Sequence, residues 1–270
     1  MNNLLLYCLS LNNEDYNKIK NLNYIPVGLG SDNFNTNWLR DDTHDNISEK
    51  NNFYGEYTFH YWFWKNELNK IDNESWIGFC AYRRFWTNAD DLFEIQNKKD
   101  FLHQVPKDWN NYDVILGQNI YMNGWTKMKI LKHGLKSFML QPKYFFKKNR
   151  NLKLHFDSFH GYGNLDKAIQ ALDNDNREDF RLFMENQNFY NRGNMFIIRN
   201  KNIINNFYNT IFPWLKRCEE IFGFKKSGYG NIRIYAFLME RFMSYWFNKN
   251  SKVKIWPIAF YNINKEGFLK

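Results

Sequence analysis

Two adjacent arginines, Arg83 and Arg84, follow the apolar run WIGFCA at Trp76–Ala81, with Tyr82 between. The run has the length and character of a strand that is buried on both faces of a sheet. Ligands of open α/β sheets bind at the carboxyl ends of the strands, and the planar, permanently charged guanidinium group pairs well with phosphate. The pattern therefore predicts an anion site suited to a diphosphate. The competing interpretation is that both arginines are surface charges after a core strand.

A second group of reactive side chains lies in the segment HFDSFHGYG at residues 155–163. The sequence predicts a loop here, followed by a helix over residues 164–172. Histidine titrates near neutral pH, so His160 is a candidate for proton transfer or acceptor binding, and Asp157 is the carboxylate beside it. Helix capping and loop packing would account for the same residues without any chemistry.

Asn194 and Glu240 also stand beside apolar runs. Asn194 comes just before a predicted strand, where its amide could both donate to and accept from sugar hydroxyls, or could simply begin the strand. Glu240 and Arg241 lie inside a predicted helix, residues 231–246, whose apolar residues recur at helical spacing. Charges in such a setting are usually paired, so Glu240 belongs either to a structural ion pair or to a site.

The first 29 residues read as strand, helix and strand, over residues 4–9, 14–22 and 24–29. This opening is typical of nucleotide-binding α/β domains. The chain lacks G-x-G-x-x-G and G-x-x-x-x-G-K-[S/T], which disfavours dinucleotide and P-loop sites. Tyr7 and Ser10 are expected to leave the carboxyl end of the first strand, where a base and ribose usually bind.

A helix is predicted to begin near Asn51 and to end in the polar run at residues 71–75. Its apolar face would carry Tyr54, Tyr57, Tyr61, Trp64 and Leu68, which recur at three- and four-residue spacing. Glu56 falls in the first turns, where the helix dipole favours a negative charge. That preference explains Glu56 without a functional role.

This central stretch resembles a family of bacterial capsular and cell-surface polysaccharide biosynthesis proteins, labelled DUF4422 and regarded as glycosyltransferases. The family pattern is roughly N-I-S-x-K-N-x-x-Y-x-E-L-T-x-x-Y-W-x-W-K-N, followed by Y-I-G-x-x-H-Y-R-R-Y-F. It is met at Asn46–Asn51, Tyr54–Thr58, Tyr61–Asn66 and Ile77–Phe85, with shorter matches at residues 112–116, 194–198 and 233–242. The resemblance covers about residues 46 to 246. Tyr57 stands where leucine is usual and Ala81 where histidine is usual.

The resemblance implies an α/β, GT-A-like single domain with a Rossmann-like mixed central sheet flanked by helices. It implies a glycosyltransferase, of the hexosyltransferase class, that moves a sugar from a nucleotide-sugar donor, in the first place a UDP-sugar, to a glycan or lipid-linked acceptor. The half at about residues 1–116 would bind the nucleotide, and the half at about 117–270 the sugar and acceptor. The donor-binding candidates are Tyr7, Ser10, Lys50, Asn51, Glu56, Tyr82, Arg83, Arg84 and Asn194, and the catalytic candidates are Glu240, Asp157 and His160.

GT-A enzymes commonly hold the departing diphosphate through Mn²⁺ or Mg²⁺ on a DxD motif at the end of a central strand. Here that position reads Tyr-Arg-Arg. We therefore expect Arg83 and Arg84 to bind the diphosphate directly, with no cofactor required. Mn²⁺ or Mg²⁺ would enter only if an aspartate pair, Asp41–Asp42 or Asp90–Asp91, replaces the missing motif.

Composition limits the partners. The 270 residues carry a net charge of +9, which suits nucleic acid, an anionic membrane surface or polyphosphate substrates. No nucleic-acid-binding motif is present, so nucleic acid is not an expected partner. The lysines concentrate at residues 127–136 and 143–153, and peripheral contact with an anionic membrane fits at least as well.

The three cysteines, Cys8, Cys80 and Cys218, form no C-x-x-C pair and indicate a reducing compartment. No signal peptide and no spanning apolar stretch are expected, which predicts a cytoplasmic protein, with the inner face of the membrane as a further location. The alternative to a transferase is a non-catalytic carbohydrate- or anion-binding protein with a decayed site, which Ala81 favours.

Overall fold

The computed structural model describes residues 3–30, 33–88, 97–122, 135, 139–146, 150–191, 193–265 and 267–268. The chain divides into two units. Unit 1 comprises Met1–Gln118, Arg192–Tyr208 and Phe247–Lys270, and unit 2 comprises Asn119–Asn191 and Asn209–Trp246. Unit 1 thus contains the whole of the predicted nucleotide-binding half together with two later segments.

Unit 1 is built on one large sheet. Its strands are β1 (Leu4–Ser10), β2 (Ile25–Gly28), β3 (Leu39–Arg40), β4 (Trp76–Ala81), β5 (Arg84–Trp86), β6 (Val114–Leu116), β9 (Phe196–Ile198), β10 (Val253–Ile255), β11 (Ile258–Asn262) and β12 (Gly267–Phe268). In unit 2, β7 (Asn119–Tyr121) and β8 (Phe189–Asn191) form a separate antiparallel pair.

The main path of the sheet runs β10-β6-β9-β4-β1-β2-β3. β1 pairs in parallel with β2 on one side and with β4 on the other, and β2–β3 and β10–β6 are also parallel, whereas β9 is antiparallel to both of its neighbours. The result is a mixed α/β fold with a mostly parallel central sheet flanked by helices, and the predicted fold class is confirmed.

The helices of unit 1 are α1 (Tyr16–Lys20), α2 (Asn51–Tyr54) and α3 (Tyr57–Asn66). Unit 2 contains α4 (Leu152–His160), α5 (Asn164–Gln170), α6 (Asn174–Asn186) and α8 (Tyr229–Ile232), while α7 (Lys201–Phe222) and α9 (Ile234–Asn250) contribute residues to both units. Short 3-10 turns lie at Asn13–Asp15, Ser48–Lys50, Leu68–Lys70, Lys98–Asp100, Lys107–Trp109 and Pro142–Phe145. No helix in the described ranges has both the length and the apolar character needed to cross a bilayer.

The strands with continuous apolar runs were predicted correctly. β4 spans the residues expected, and β1 extends the expected strand by one residue to Ser10. Both are almost wholly buried, because helices and neighbouring strands cover both faces of a parallel sheet.

The predicted helix from Asn51 is wrong in its continuity and only partly right in its buried face. Gly55 adopts φ 58° and ψ −136° and separates α2 from α3, a conformation that side-chain-bearing residues rarely adopt. Tyr54, Tyr57 and Leu68 of the predicted face are buried. The buried residues of α3 are Tyr57, Thr58, Phe59, His60, Trp62 and Phe63, whereas Tyr61 and Trp64 are only partly buried.

The predicted loop at residues 155–163 is also wrong, because residues 152–160 form α4 in unit 2. Asn151 caps its start, with its Oδ1 accepting from the Leu154 amide at 2.9 Å. Gly161, at φ 90°, follows its end. His155, Asp157 and His160 are therefore helical residues.

Candidate active site

In the sheet of unit 1, the strand order changes side at β1. From β1 the chain proceeds to β2 and β3 on one side, and later returns to β4 on the other side. In open α/β sheets, the crevice outside the carboxyl ends at such a reversal is where ligands bind. In this chain, Ser10 and Ala81 end the two strands at that edge.

The two arginines follow β4 as predicted, but a tight hairpin separates their environments. β4 turns back as β5 through Tyr82 and Arg83, so that Ala81 pairs with Arg84 across the hairpin. Arg83 is exposed at the turn, with its Cζ 4.8 Å from the centre of the Tyr82 ring. Arg84 begins the returning strand and is half-buried. The two guanidinium groups are adjacent in sequence but differ in exposure to solvent.

A small pocket of about 10 Å³ lies at this edge, and Arg84, Glu56 and Asn194 supply its polar groups. Its apolar wall consists of Leu9, Phe79, Cys80, Ala81 and Met195. Nδ2 of Asn194 lies 3.5 Å from Oε2 of Glu56, and Oδ1 of Asn194 is buried without a hydrogen-bond partner. An unsatisfied buried acceptor costs free energy, and a donor on a bound ligand would remove that cost.

Glycines shape this pocket from two sides. Gly55 ends α2 and places Glu56 immediately before α3, where a carboxylate is favoured by the helix dipole. Gly193 adopts φ 72°, and a Cβ there would lie 3.4 Å from Nη1 of Arg84. Sequence reasoning missed Gly193, although a glycine directly before Asn194 was a visible sign of a constrained turn.

Asn51 supports the start of α3 instead of lining the pocket. Its Nδ2 donates to the Gly55 carbonyl and to Thr58 Oγ1, each at 3.1 Å. Thr58 Oγ1 in turn donates to Asp41 Oδ2 at 2.5 Å. Burial raises the pKa of Asp41 to about 6 despite that bond. Lys50, the last residue of a 3-10 turn, directly precedes Asn51 and is half-buried.

The first of the two candidate aspartate pairs, Asp41–Asp42, is divided between different partners. Asp41 bonds to Thr58, whereas Asp42 pairs with Arg40 at 2.6 Å, so the two carboxylates are engaged by different partners. Among the described residues, no group of three or more His, Cys, Asp or Glu side chains is arranged to hold a metal ion. Asp90 and Asp91 lie outside the described residues.

Tyr7 and Ser10 were predicted to leave the carboxyl end of β1, and this is wrong for Tyr7. Tyr7 lies in the middle of the strand, buried, with its ring 5.2 Å from Phe63 and 5.9 Å from Phe79. Ser10 does end β1, but it is buried and its Oγ donates to Asp15 Oδ2 at 2.7 Å. Both residues stabilise the strand and the loop after it.

A larger groove of about 620 Å³ lies elsewhere in unit 1, along residues 33–44 and the end of α3. Asp42 of the candidate metal pair lines it, but none of the donor-binding or catalytic candidates does. Its Arg40 is already bound to Asp42 and to the Gly30 carbonyl, each at 2.6 Å. Its best-placed guanidinium is therefore neutralised, and we assign the candidate site to the smaller pocket at Arg84.

In unit 2, Asp157 and His160 are buried in contacts of α4. Oδ1 of Asp157 accepts from the Gly163 amide at 3.2 Å, and its Oδ2 lies 3.6 Å from Lys153; burial raises its pKa to about 6. The His160 ring stacks on Phe237 at 4.2 Å, with Nδ1 2.9 Å from the Gly230 carbonyl oxygen. Burial, with the nearby Arg241 charge, lowers the pKa of His160 to about 3. The expectation that His160 titrates near neutrality is therefore wrong.

Glu240 forms an ion pair with the neighbouring Arg241. Arg241 is 2% exposed, lies 4.1 Å from the centre of the Tyr190 ring, and its Nη2 is 3.2 Å from His155 Nδ1. The paired arrangement that the sequence offered as the alternative for Glu240 is the one observed.

The family model described as "Domain of unknown function (DUF4422)" matches residues 9–251. Among solved structures, one described as "WbbM bifunctional glycosytransferase apo structure" aligns with a TM-score of 0.56 at 18% identity, over 96% of this chain and 45% of that one. The chain thus spans less than half of the length of that structure, and the likeness concerns the fold. No curated protein matches.

Proposed function

The chain belongs to the DUF4422 family, and we propose that it is a glycosyltransferase that uses a nucleotide-sugar donor. Its fold is similar to that of a structure described as a bifunctional glycosyltransferase. The observation that carries the proposal is Arg84, a half-buried guanidinium beside Glu56 and Asn194 at the sheet reversal. A nucleotide diphosphate is the ligand whose charge and geometry suit such a group.

In the proposed reaction the bond between the anomeric carbon and the diphosphate breaks, and a bond to an acceptor hydroxyl oxygen forms. Arg84 stabilises the charge that develops on the departing diphosphate, with Arg83 at the exposed turn as a second, weaker contact. Glu56 and Asn194 bind sugar hydroxyls as acceptor and mixed donor-acceptor groups. With these residues no metal cofactor is needed.

The proton of the acceptor hydroxyl must pass to a base. The three catalytic candidates all lie in unit 2, where Asp157 already accepts from the Gly163 amide and lies 3.6 Å from Lys153. Glu240 is committed to Arg241, and His160 is held neutral by burial.

The proposal extends to the substrates: a UDP-sugar as donor, a hexosyl group as the group transferred, and a glycan or lipid-linked acceptor in surface polysaccharide synthesis. A cytoplasmic location accords with the buried free thiols of Cys8, Cys80 and Cys218. All of these rest on the resemblance and the residue types.

The test is a thermal-shift panel of UDP, GDP, CDP and dTDP, each with Mn²⁺ and with EDTA. A ligand at about 100 times its dissociation constant should stabilise the fold by roughly 2.7 kcal/mol. A shift with one nucleotide that persists in EDTA would support the proposal. A shift only with Mn²⁺ would move the phosphate site to a metal.

The second candidate is a non-catalytic binding protein. Ala81 favours it, because this small side chain lines the pocket where the family pattern usually has histidine. Hydrolysis of donor in the absence of acceptor separates the two: a transferase releases nucleotide slowly, whereas a binding protein binds it without turnover.

A further inference from the structure

The segment between α7 and α8 of unit 2 combines exposed aromatic rings with lysines. It reads Gly-Phe-Lys-Lys-Ser-Gly-Tyr over Gly223–Tyr229, here called the aromatic-basic segment. Phe224 is 37% exposed and Tyr229 is 68% exposed. Single exposed apolar side chains are ordinary, so the feature of this segment is that two exposed rings stand next to two lysines.

Two glycines turn the chain at the ends of this segment. Gly223 has φ 57° and Gly228 has φ 82°, a region that favours glycine. A Cβ at either position would meet nothing within 4 Å. The glycines are therefore required by the backbone turn and not by close packing, and the turns face open space.

Positive charge surrounds the rings. Lys225 and Lys226 lie within the segment, and the pKa of Lys226 is lowered by partial burial and, to a smaller extent, by the charge of Lys167 of α5. From residue 216 to residue 233 the chain carries five basic and two acidic residues. The local excess of positive charge would be relieved by an anionic surface.

The exposed tyrosine is held in a fixed place. The Tyr229 hydroxyl lies 3.2 Å from Nη1 of Arg233, and its ring centroid lies 6.0 Å from that of Phe237. Arg233 thus orients Tyr229 at the surface and adds a further positive charge beside it. An ordered amphipathic ring loses less conformational freedom on binding than a mobile one.

We propose that the aromatic-basic segment docks unit 2 onto the surface of an anionic phospholipid bilayer. Tyrosine and phenylalanine rings partition into the headgroup region, where one end of the ring is apolar and the other is wet. Lysines beside them are attracted to anionic headgroups and lose that attraction as salt rises. The contact is peripheral, with the segment lying on the bilayer, and it does not depend on the proposed transferase activity.

Vesicle co-sedimentation of the full chain tests this proposal, with phosphatidylcholine vesicles that either contain or lack phosphatidylglycerol. The assay is run in EDTA without sugar nucleotide, so its outcome is separate from that of the donor panel. We expect binding only to the anionic vesicles, weakening with salt. Lys225→Glu/Lys226→Glu, and separately Phe224→Ser/Tyr229→Ser, should each reduce binding at least roughly tenfold.

Control variants reverse two lysine charges, or remove an exposed ring, outside the aromatic-basic segment. Lys98→Glu/Lys99→Glu changes an exposed lysine pair in unit 1, and Tyr121→Ser removes a ring that is 56% exposed in unit 2. Both should bind as the wild type does, and circular dichroism confirms that every variant is folded. The proposal is overturned if test and control variants lose vesicle binding equally, or if the wild type binds neutral vesicles. It is also overturned if the protein binds duplex DNA as tightly as it binds the anionic vesicles.

Discussion

The Arg84 pocket of unit 1 and the α4–α9 cluster of unit 2, formed by His155, His160, Glu240 and Arg241, hold similar polar residues in different settings. In the pocket, Arg84 and Glu56 lie beside Asn194, whose Oδ1 has no hydrogen-bond partner. In the cluster, Arg241 is almost fully buried and paired with Glu240, and His160 faces the Gly230 carbonyl. The first arrangement combines an amide oxygen without a partner and a half-buried guanidinium at a strand end, whereas in the second the guanidinium is committed to an ion pair, although its Nε has no partner.

This difference indicates that the type of a residue is a weaker guide to function than its place on the fold. His160 and Glu240 of unit 2 are residue types suited to proton transfer, yet in the structure both are engaged in contacts within and between helices. Arg84 in unit 1 begins the strand that turns back from β4, next to the carboxyl end of β4, the edge of a parallel sheet where ligands bind.

Replacing Arg84 should have the largest effect. Arg84→Ala should reduce kcat about 100-fold or more, because it removes a preorganised charge on the departing diphosphate. Arg83→Ala, at the exposed turn, should cost less than about tenfold. Steady-state kinetics of nucleotide release measure both. If the Arg83 variant is the more damaged of the two, the pocket assignment is wrong.

Replacing Arg241 should affect stability more than activity. Arg241→Ala leaves the carboxylate of Glu240 in an apolar setting, and should lower the free energy of unfolding by about 3 kcal/mol or more. Arg181→Ala is the control, since Arg181 makes ion pairs with Glu178 and Glu185 on the exposed face of α6. That variant should unfold at nearly the wild-type urea concentration.

If Arg241→Ala leaves the free energy of unfolding unchanged but abolishes nucleotide turnover, the α4–α9 cluster has a functional role. The contrast between the two regions would then fail.

Two buried groups of α4 should give stability changes of opposite sign with pH. The pKa of Asp157 is raised to about 6, so the folded state keeps its proton longer than the unfolded chain, whose value is about 3.9. Its contribution to stability is present below about pH 4 and is lost as pH rises through 6. The stability difference between wild type and Asp157→Asn should fall over that range.

His160 behaves in the opposite way, because its pKa is lowered to about 3 against about 6.5 in the unfolded chain. Its contribution is present above pH 6.5 and is lost as pH falls toward 3. The difference between wild type and His160→Gln should therefore rise with pH. Urea melts across this range measure both slopes, and equal signs would contradict the burial of one of the two groups.

Gly193→Ala should have the smallest effect, a loss of roughly two- to threefold in nucleotide affinity. The substitution strains the backbone at φ 72° and brings a methyl group to 3.4 Å from Arg84 Nη1. Gly163→Ala is the matched control, since Gly163 has φ 77° and nothing within 4 Å of its Cβ position. Both variants should lose about 1 kcal/mol of stability, but only Gly193→Ala should bind nucleotide more weakly by calorimetry.

Apolar continuity made the main strands predictable. β1 and β4 are uninterrupted apolar runs, and their burial follows from that composition. The break at Gly55 was not predictable, because a glycine in a helical pattern is compatible with either continuation or a turn. α4 was recognisable in principle from Asn151 at its start and Gly161 after its end, which are ordinary helix boundary residues.

The candidate site could be located only once the pairing and order of the strands were known. Arg83 and Arg84 look equivalent in sequence, and only the hairpin between β4 and β5 separates an exposed guanidinium from a half-buried one. Asn194 and Glu56 are 138 residues apart, and their proximity depends on the sheet order. Cys8 and Cys80, distant in sequence, likewise become neighbours on paired strands.

The most direct test of the account is calorimetric titration of the wild type and Arg84→Ala with the nucleotide diphosphate that stabilises the wild type, in EDTA. We predict that the wild type binds without metal and that Arg84→Ala binds roughly 100-fold more weakly or not at all. Equal affinity in the two proteins, or binding that appears only with Mn²⁺, would contradict a diphosphate site built on Arg84.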